Sequence, residues 1–178
     1  MPFDLQPTIC DALLELRPLK IDDYDELFAV ASDPLIWEQH PKNDRHKRSV
    51  FHEFFRGAMD SGGALVIMDP ETGMIIGSSR YFGYDKSQSE VEIGWTFLAR
   101  SYWGGKYNQE LKRLMLAHAF QFVDQVVFLV GEENLRSRRA MEKIGGVLAG
   151  SRHNATGEES LVYEIKRLGW INESKGAE

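Results

Sequence analysis

The stretch from Ser89 to Lys143, SEVEIGWTFLARSYWGGKYNQELKRLMLAHAFQFVDQVVFLVGEENLRSRRAMEK, decides the predicted fold. Apolar and polar residues alternate over 90–97, which predicts a β-strand. The turn WGGKYN follows at 103–108, and apolar residues then recur at helical spacing from Leu111 to Phe122. A strand that leads through a glycine turn into a helix N-terminus directs several backbone N–H groups, and the positive end of the helix dipole, at one point. The pattern therefore predicts a phosphate-binding turn.

A second strand and a second helix complete the stretch. The apolar run VVFLV at 126–130 predicts a short buried strand, and a helix is predicted from about Asn134 to Lys143, ending at Gly145-Gly146. Because a helix connects them, the strands at 90–97 and 126–130 are predicted to be parallel, through a right-handed crossover.

Two common nucleotide-binding motifs do not fit the turn. A Walker loop ending at Gly105-Lys106 requires glycine at position 100, which is Arg100, and Ser or Thr at position 107, which is Tyr107. A dinucleotide fingerprint requires a third glycine in the first turn of the helix, and none is present. The sequence therefore favours a phosphate group held in another way.

Two motifs carry a more specific resemblance. One is Tyr102-Trp103-Gly104-Gly105-Lys106-Tyr107-Asn108, with Glu110 after it; the other is Asn134-Leu135-Arg136-Ser137, followed by Ala140, Lys143 and Gly145. Together they resemble the acetyl-CoA-binding core of the GNAT superfamily N-acetyltransferases, in particular the branch that acetylates ribosomal-protein N-termini (RimJ/RimL-like). The resemblance extends from Leu14 to about Glu164.

The resemblance implies an acyltransferase that moves the acetyl group of acetyl-CoA directly to a primary amine, without a metal ion. It also implies which residues bind the cofactor. These are the backbone amides of Phe97 and Leu98, the turn residues Trp103, Gly104, Gly105, Lys106, Tyr107 and Asn108, and Asn134 of the second helix. Asn134 is also well placed to be only a helix N-cap, but the motif around it favours a cofactor contact.

The chain departs from the family pattern at three positions, one of which is Asn108, where the family has a small residue that opens the helix. Lys106 replaces the second glycine of the turn, so its side chain either crowds the pyrophosphate or pairs with it. Met141 replaces the tyrosine that many members carry as the proposed acid for the leaving thiolate. Ser137 is one helical turn earlier on the same side, and it becomes the candidate to hydrogen-bond the sulfur.

The candidate base lies on the strand that precedes the turn. Glu90 and Glu92 are on the same face of that strand, and Glu92 is nearer to the expected thioester, so we assign the role to Glu92. Glu90 and a water chain are the alternatives, and a solvated strand face would equally explain both carboxylates.

The acceptor pocket is less well defined by the sequence. By resemblance, Trp37, His40 and Trp95 are candidates to line it, although tryptophans are also common in cores. At pH 7 roughly one α-amine in ten is neutral, against about one lysine in a few thousand. A protein N-terminal α-amine is therefore favoured over a lysine. A small-molecule amine, or a catalytically silent acyl-CoA-binding module, are the alternative interpretations.

Composition narrows the class of protein. The chain has 178 residues and a formal net charge of −6, which disfavours sequence-independent nucleic-acid binding. It contains no run of eighteen apolar residues and no basic segment leading into an apolar one, so no membrane partner and a cytoplasmic location are expected. The single Cys10 excludes an internal disulfide, and the five histidines lack metal-site spacing. A monomer and a homodimer are both open.

The predicted fold is α/β (α+β), with a mixed, mostly antiparallel sheet of six to seven strands and about four helices. Strands at 64–68 and 74–82 form an antiparallel meander with the strand at 90–97. Residues 1–10 are expected to be a loose N-terminus, 11–170 a single GNAT-like domain, and 171–178 a polar tail.

Overall fold

The computed structural model describes residues 3–153 and 157–170. Within these ranges the helices are α1 (Tyr24–Ala31), α2 (Arg48–Ser61), α3 (Lys106–Ala119) and α4 (Leu135–Lys143), with a further helical turn at 167–170. The strands are β1 (Ile9–Cys10), β2 (Glu15–Pro18), β3 (Ala64–Met68), β4 (Ile75–Asp85), β5 (Glu90–Leu98), β6 (Gln125–Val130), β7 (Val147–His153) and β8 (Glu159–Lys166). They form one sheet in the order β1-β2-β3-β4-β5-β6-β8-β7.

The architecture confirms the predicted mixed α/β sheet. All strand pairs are antiparallel except β5 with β6, which is parallel as the helical crossover through α3 requires. The described residues contain eight strands rather than six or seven. The additional strand is β1, which pairs with β2.

The segment at 3–10, which the sequence suggested would be loose, is held by aromatic packing. Phe3 is buried, with its ring stacked 4.9 Å from Phe122 and edge-on to Tyr81 at 5.3 Å. His118 on α3 also contacts the segment, through a hydrogen bond between its Nε2 and the carbonyl of Asp4 at 2.7 Å. The expected tail at 171–178 and most of the polar turn at 154–157 lie outside the described residues.

Two apolar cores cover the two faces of the sheet. Leu65 and Ile67 of β3 pack on the face covered by α3, where Tyr81 donates a hydrogen bond to the carbonyl of Met115 at 2.7 Å. Val66 belongs to the opposite core with Phe51, under α1 and α2. This division follows from the alternation of side chains along a strand.

The two edges of β5 are paired to different extents. Its pairs with β4 run from Glu90–Asp85 to Leu98–Gly77, whereas its pairs with β6 are confined to Glu90, Glu92 and the residue between them. The β4–β5 register changes between Ser78 and Arg80, which places one extra residue in β5. Trp95 lies in this bulge with a φ of +52°, so the alternation predicted for 90–97 is interrupted there. Beyond Glu92 the two strands separate.

Candidate active site

A cleft of about 270 Å³ opens where β5 and β6 separate. It lies beside the first turns of α3 and α4, so it receives residues from four elements. The lining includes Glu92, Trp95 and Thr96 of β5; Phe128 and Val130 of β6; Asn108 and Lys112 of α3; Asn134, Ser137 and Met141 at α4; and His40, Arg45 and Glu158 from loops. Of the candidates assigned from sequence, the structure brings Glu92, Ser137, Asn108, Asn134, His40 and Trp95 together here.

The glycine turn is built to leave the N-terminus of α3 open. Gly105 is the N-cap residue, and a Cβ added to it would meet no atom within 4 Å. Gly104 has a φ of +70°, which glycine adopts without strain. Lys106 is exposed at the first position of the helix. The turn therefore combines free N–H groups, the positive end of a helix dipole and a cation, all of which favour an anion.

Trp103 connects this turn to its neighbours. Its Nε1 donates to the carbonyl of Leu98 at 2.9 Å, and the guanidinium of Arg136 lies 4.1 Å from its ring centre. Arg136 in turn donates to the carbonyl of Ile36 at 2.7 Å. Trp103 thus joins β5 to α4 and is not among the residues that line the cleft. Tyr107 packs edge-on against the ring of Tyr102 at 4.9 Å.

Phe97 and Leu98 are buried, and their side chains belong to opposite cores. Both pair with β4 on one edge of β5, at Ser78 and Gly77. On the other edge, the pairing with β6 has already ended at Glu92. Their side chains are thus structural, and neither residue is among those that line the cleft.

Asn134 and Ser137 are joined at the start of α4. The Oδ1 of Asn134 accepts a hydrogen bond from the Ser137 backbone N–H at 3.1 Å, so Asn134 is the N-cap of the helix. Asn134 is also buried against the cleft, so capping and lining occur together. Met141 follows one turn after Ser137 and contributes an apolar wall where many relatives are expected to have tyrosine.

The two carboxylates considered as bases occupy different environments. Glu90 accepts hydrogen bonds from Arg152 Nη1 at 2.6 Å and from Gln125 Nε2 at 2.9 Å, and it lies outside the cleft. Glu92 lines the cleft. Burial raises the pKa of Glu92 to about 7, although the nearby charges of Arg80 and Arg152 oppose the increase. A carboxylate with this pKa can accept a proton at neutral pH.

The residues assigned to the acceptor pocket separate into two groups. Trp95 and His40 line the cleft, and Trp95 packs edge-on against Phe82 at 5.2 Å. Trp37 is 3% exposed, donates from Nε1 to the carbonyl of Ala31 at 2.8 Å and is absent from the lining. Its ring lies 5.9 Å from that of His40 and 5.4 Å from the guanidinium of Arg45, so Trp37 contacts the pocket through these two lining residues.

Lys112 lines the site although no sequence motif singled it out. Its side chain lines the cleft and donates from Nζ to Thr96 Oγ1 at 2.7 Å. Burial lowers the pKa of Lys112 to about 7. A charged residue on the apolar face of a helix, four residues after Asn108, is the sequence signal that identifies such a position.

Two buried arginines near the residues assigned to the acceptor pocket were also not predicted from the sequence. Arg45 is 9% exposed and lines the cleft, and Arg80 is 5% exposed beside it. Arg45 belongs to an irregular loop and Arg80 to the middle of a strand, so neither has a local sequence pattern that indicates a site. Only their buried positions in the fold distinguish them from surface arginines.

The described part of the chain contains neither a metal-ligand cluster nor a membrane-spanning helix. Among the described residues there is no group of three or more His, Cys, Asp or Glu side chains able to hold a metal ion. Across 3–153 and 157–170, no helix has the length and apolar character needed to cross a membrane.

Solved structures share the fold. A GCN5-related N-acetyltransferase from Brucella melitensis superimposes with a TM-score of 0.83 at 20% identity, covering 96% of this chain and 83% of the other. RimJ of Mycobacterium smegmatis, solved in complex with CoA-disulfide, gives 0.68 at 18% identity, with 88% and 83% covered. Spermidine N-acetyltransferase of Vibrio cholerae, solved with CoA and spermine, gives 0.70 at 16% identity, with 91% and 100% covered.

The family is established at the level of sequence as well. A comparison with curated protein sequences finds no match. The family described as "Acetyltransferase (GNAT) domain" matches residues 14–147, which is most of the chain and includes the turn, the splayed strands and α4. The chain therefore belongs to the GNAT acetyltransferase family.

Proposed function

We propose that this protein is an acetyl-CoA-dependent N-acetyltransferase that transfers the acetyl group directly to a primary amine. The observation that carries the proposal is the position of Glu92, a half-buried carboxylate that lines the cleft between β5 and β6, beside the open N-terminus of α3. The CoA complexes of the M. smegmatis and V. cholerae structures, which share the fold, support the choice of cofactor.

The turn at Gly104–Asn108 holds the CoA diphosphate through backbone N–H groups, with Lys106 as an additional cation. The pantetheine arm lies along the open edge of β5, where the backbone of Phe97 and Leu98 is no longer paired with β6. Backbone N–H groups there polarise the thioester carbonyl.

Transfer follows from this arrangement. The amine nitrogen attacks the carbonyl carbon of the thioester, and Glu92 accepts the proton that the amine loses. The tetrahedral intermediate then collapses, the C–S bond breaks and the sulfur leaves with the electron pair. Ser137 donates a hydrogen bond to the thiolate, which is a fair leaving group because a thiol pKa is near 8.5. The products are an amide and CoA.

The acceptor is a primary amine, with a protein N-terminal α-amine as the first candidate. A single carboxylate base suits an α-amine, of which about one in ten is already neutral at pH 7. Small amines are the second candidate for the acceptor, because the V. cholerae enzyme that shares the fold was solved with spermine bound.

Binding of CoA is the first test. A ligand at a hundred times its dissociation constant adds about 2.7 kcal/mol to the free energy of unfolding, which raises the melting temperature measurably. Gly105→Val should abolish this rise and leave the apo protein unchanged, because a Cβ at Gly105 meets no protein atom. Gly57→Val is the control, since its surroundings are equally open and it lies on α2.

Release of CoA thiol in the presence of amines is the second test, and it separates the enzyme from a silent CoA-binding module. Absence of any melting-temperature increase at millimolar CoA would overturn the proposal. A clear increase without turnover on any amine would instead support the silent module.

A further inference from the structure

Two hydrogen-bond donors face each other on the acceptor side of the cleft. The backbone N–H of Lys42 donates to His40 Nδ1 at 2.9 Å. Burial, with a contribution from the Arg45 charge, lowers the pKa of His40 to about 3, so the ring is neutral. A neutral ring that accepts at Nδ1 carries its proton on Nε2. Arg45 Nη1 lies 3.2 Å from this Nε2, and a guanidinium only donates. His40 Nε2–H and the Arg45 guanidinium are therefore both donors, and this contact contains no atom that accepts a hydrogen bond from either.

The same region contains two buried guanidinium groups. Arg45 lies 4.8 Å from the ring centre of Phe54, and Arg80 lies 5.8 Å from the same ring and 4.5 Å from Trp95. No ion pair within the described residues includes either arginine. The Nε of Arg80 is buried without a hydrogen-bond partner there.

Buried charges of one sign are costly unless an opposite charge meets them. Burial, together with the charge of Arg80, lowers the pKa of Arg45 to about 10, so Arg45 remains a cation at neutral pH. With a pKa of about 7, Glu92 is only partly ionised at that pH. Glu158 is the other carboxylate of the lining, and its charge acts on the pKa values of both His40 and Arg45. Burial lowers the pKa of Arg80 to about 10, although the charge of Glu92 opposes the decrease, so Arg80 is also a cation at neutral pH.

We propose that the acceptor carries a carboxylate near its amine, and that Arg45 and the Nε2–H of His40 bind this carboxylate while Glu92 receives the amine proton. This proposal rests on the N-acetyltransferase function and names its substrate class. A carboxylate oxygen between the two donors accepts from both, and charge-assisted bonds of this kind are the strong ones. A polyamine would add cations beside unpaired arginines and is disfavoured.

Two sources supply this chemistry: the α-carboxylate of a free amino acid, and an acidic side chain near the N-terminus of a peptide. Matched acceptors separate them. L-alanine is compared with L-alaninamide, and the amidated dipeptide Asp-Ala with amidated Asn-Ala, with spermidine as the polyamine. Thiol release is measured at constant acetyl-CoA. A carboxylate raises the pKa of the neighbouring amine, so kcat/KM is expressed per neutral amine. On this basis the carboxylate member of one pair should have the higher kcat/KM by about 10- to 100-fold, the range for hydrogen bonds to a charged group.

Variants connect the preference to the site. Arg45→Gln should reduce the ratio within the preferred pair to near one while the CoA-induced melting-temperature increase is retained. Arg48→Gln is the matched control, because Arg48 is exposed, pairs with Asp25 and lies outside the cleft lining. Its ratio should equal that of the wild type.

Equal kcat/KM within both pairs, or spermidine as the best acceptor, would overturn the inference and leave the acetyltransferase function intact. If none of these amines is turned over, the CoA-loaded protein is titrated calorimetrically with N-acetylalanine, N-acetyl-Asp-Ala amide and the corresponding uncharged amides. Tighter binding of a carboxylate form supports the inference, and equal binding or none overturns it. Failure of CoA itself to bind would instead contradict the proposed function.

Discussion

The two edges of β5 show how one strand can build both a core and a site. Along β4 the strand is paired almost throughout, and the side chains near that edge belong to the two apolar cores. Along β6 only three residue pairs form, and charged and polar side chains such as Glu92 and Lys112 line the gap. Backbone groups on the open edge have no strand to pair with, and buried backbone groups require partners. The difference indicates that the gap is shaped for a ligand.

The bulge at Trp95 is the local cause of this difference. The extra residue bends β5 away from β6. Trp95 is a non-glycine residue at positive φ, a conformation that costs of order 1–3 kcal/mol. The rings and charges around Trp95, from Phe82 and Arg80, hold it in place. The open edge is thus found where β5 carries a local conformational cost, at the bulge in its pairing with β4.

Glu92 provides the largest expected effect of a change at the open edge. Glu92→Gln should lower turnover by roughly 10²–10⁴-fold with nearly unchanged CoA affinity, because it removes the base and leaves the turn at α3 intact. In the wild type, kcat/KM should rise with pH through about 7 as Glu92 loses its proton. In the Glu92→Gln variant, the pH profile of kcat/KM should show only the inflection that comes from ionisation of the acceptor amine.

Glu90→Gln is the matched control, since Glu90 lies on the same strand but pairs with Arg152 outside the cleft. Its turnover should stay near that of the wild type. A large loss in Glu90→Gln with none in Glu92→Gln would transfer the role of base to Glu90, and undiminished turnover in both would assign it to a water chain.

Lys112 tests how far a buried charge in the cleft lining lowers the free energy of unfolding. Its unfolded-state pKa is about 10.4, against about 7 in the folded protein, so the unfolded chain binds more protons between these values and stability rises with pH across that window. Lys112→Met removes a buried charge and should raise the free energy of unfolding by about 1–4 kcal/mol below pH 7. The gain should disappear towards pH 10.

Chemical denaturation over this pH range measures the difference, with Lys86→Met, an exposed lysine in the turn between β4 and β5, as the control. A destabilised Lys112→Met variant at low pH would show that Lys112 is well paired in the folded state.

Ser137 has the smallest expected effect. Ser137→Ala should lower turnover about 5- to 30-fold, because one hydrogen bond from a neutral hydroxyl to a sulfur whose negative charge is only developing is worth about 1–2 kcal/mol. Single-turnover kinetics with saturating acetyl-CoA measures the step, and Ser151→Ala, an exposed serine on β7, is the control. Met141→Tyr should recover part of the loss in the Ser137→Ala background. A loss of several thousandfold would make Ser137 far more important than a single hydrogen bond allows, and no loss would show that water suffices.

The elements with local signals could be predicted from the sequence. The turn at Gly104–Asn108, the cap at Asn134 and the parallel crossover depend on neighbouring residues and standard connection rules. The half-buried position of Glu92 in the cleft could not be predicted, because it depends on the bulge and on how far β6 pairs with β5. Arg45 and Arg80 are likewise distinguished only by long-range packing on Phe54.

Hydrogen exchange with and without acetyl-CoA tests most directly the claim that the open edge of β5 binds the cofactor. Acetyl-CoA should slow exchange in peptides covering 93–98 and 104–108, and exchange in peptides from the paired edge at 75–85 should stay unchanged. Binding of acetyl-CoA with no protection at 93–98, or with protection confined to other segments, would contradict this claim.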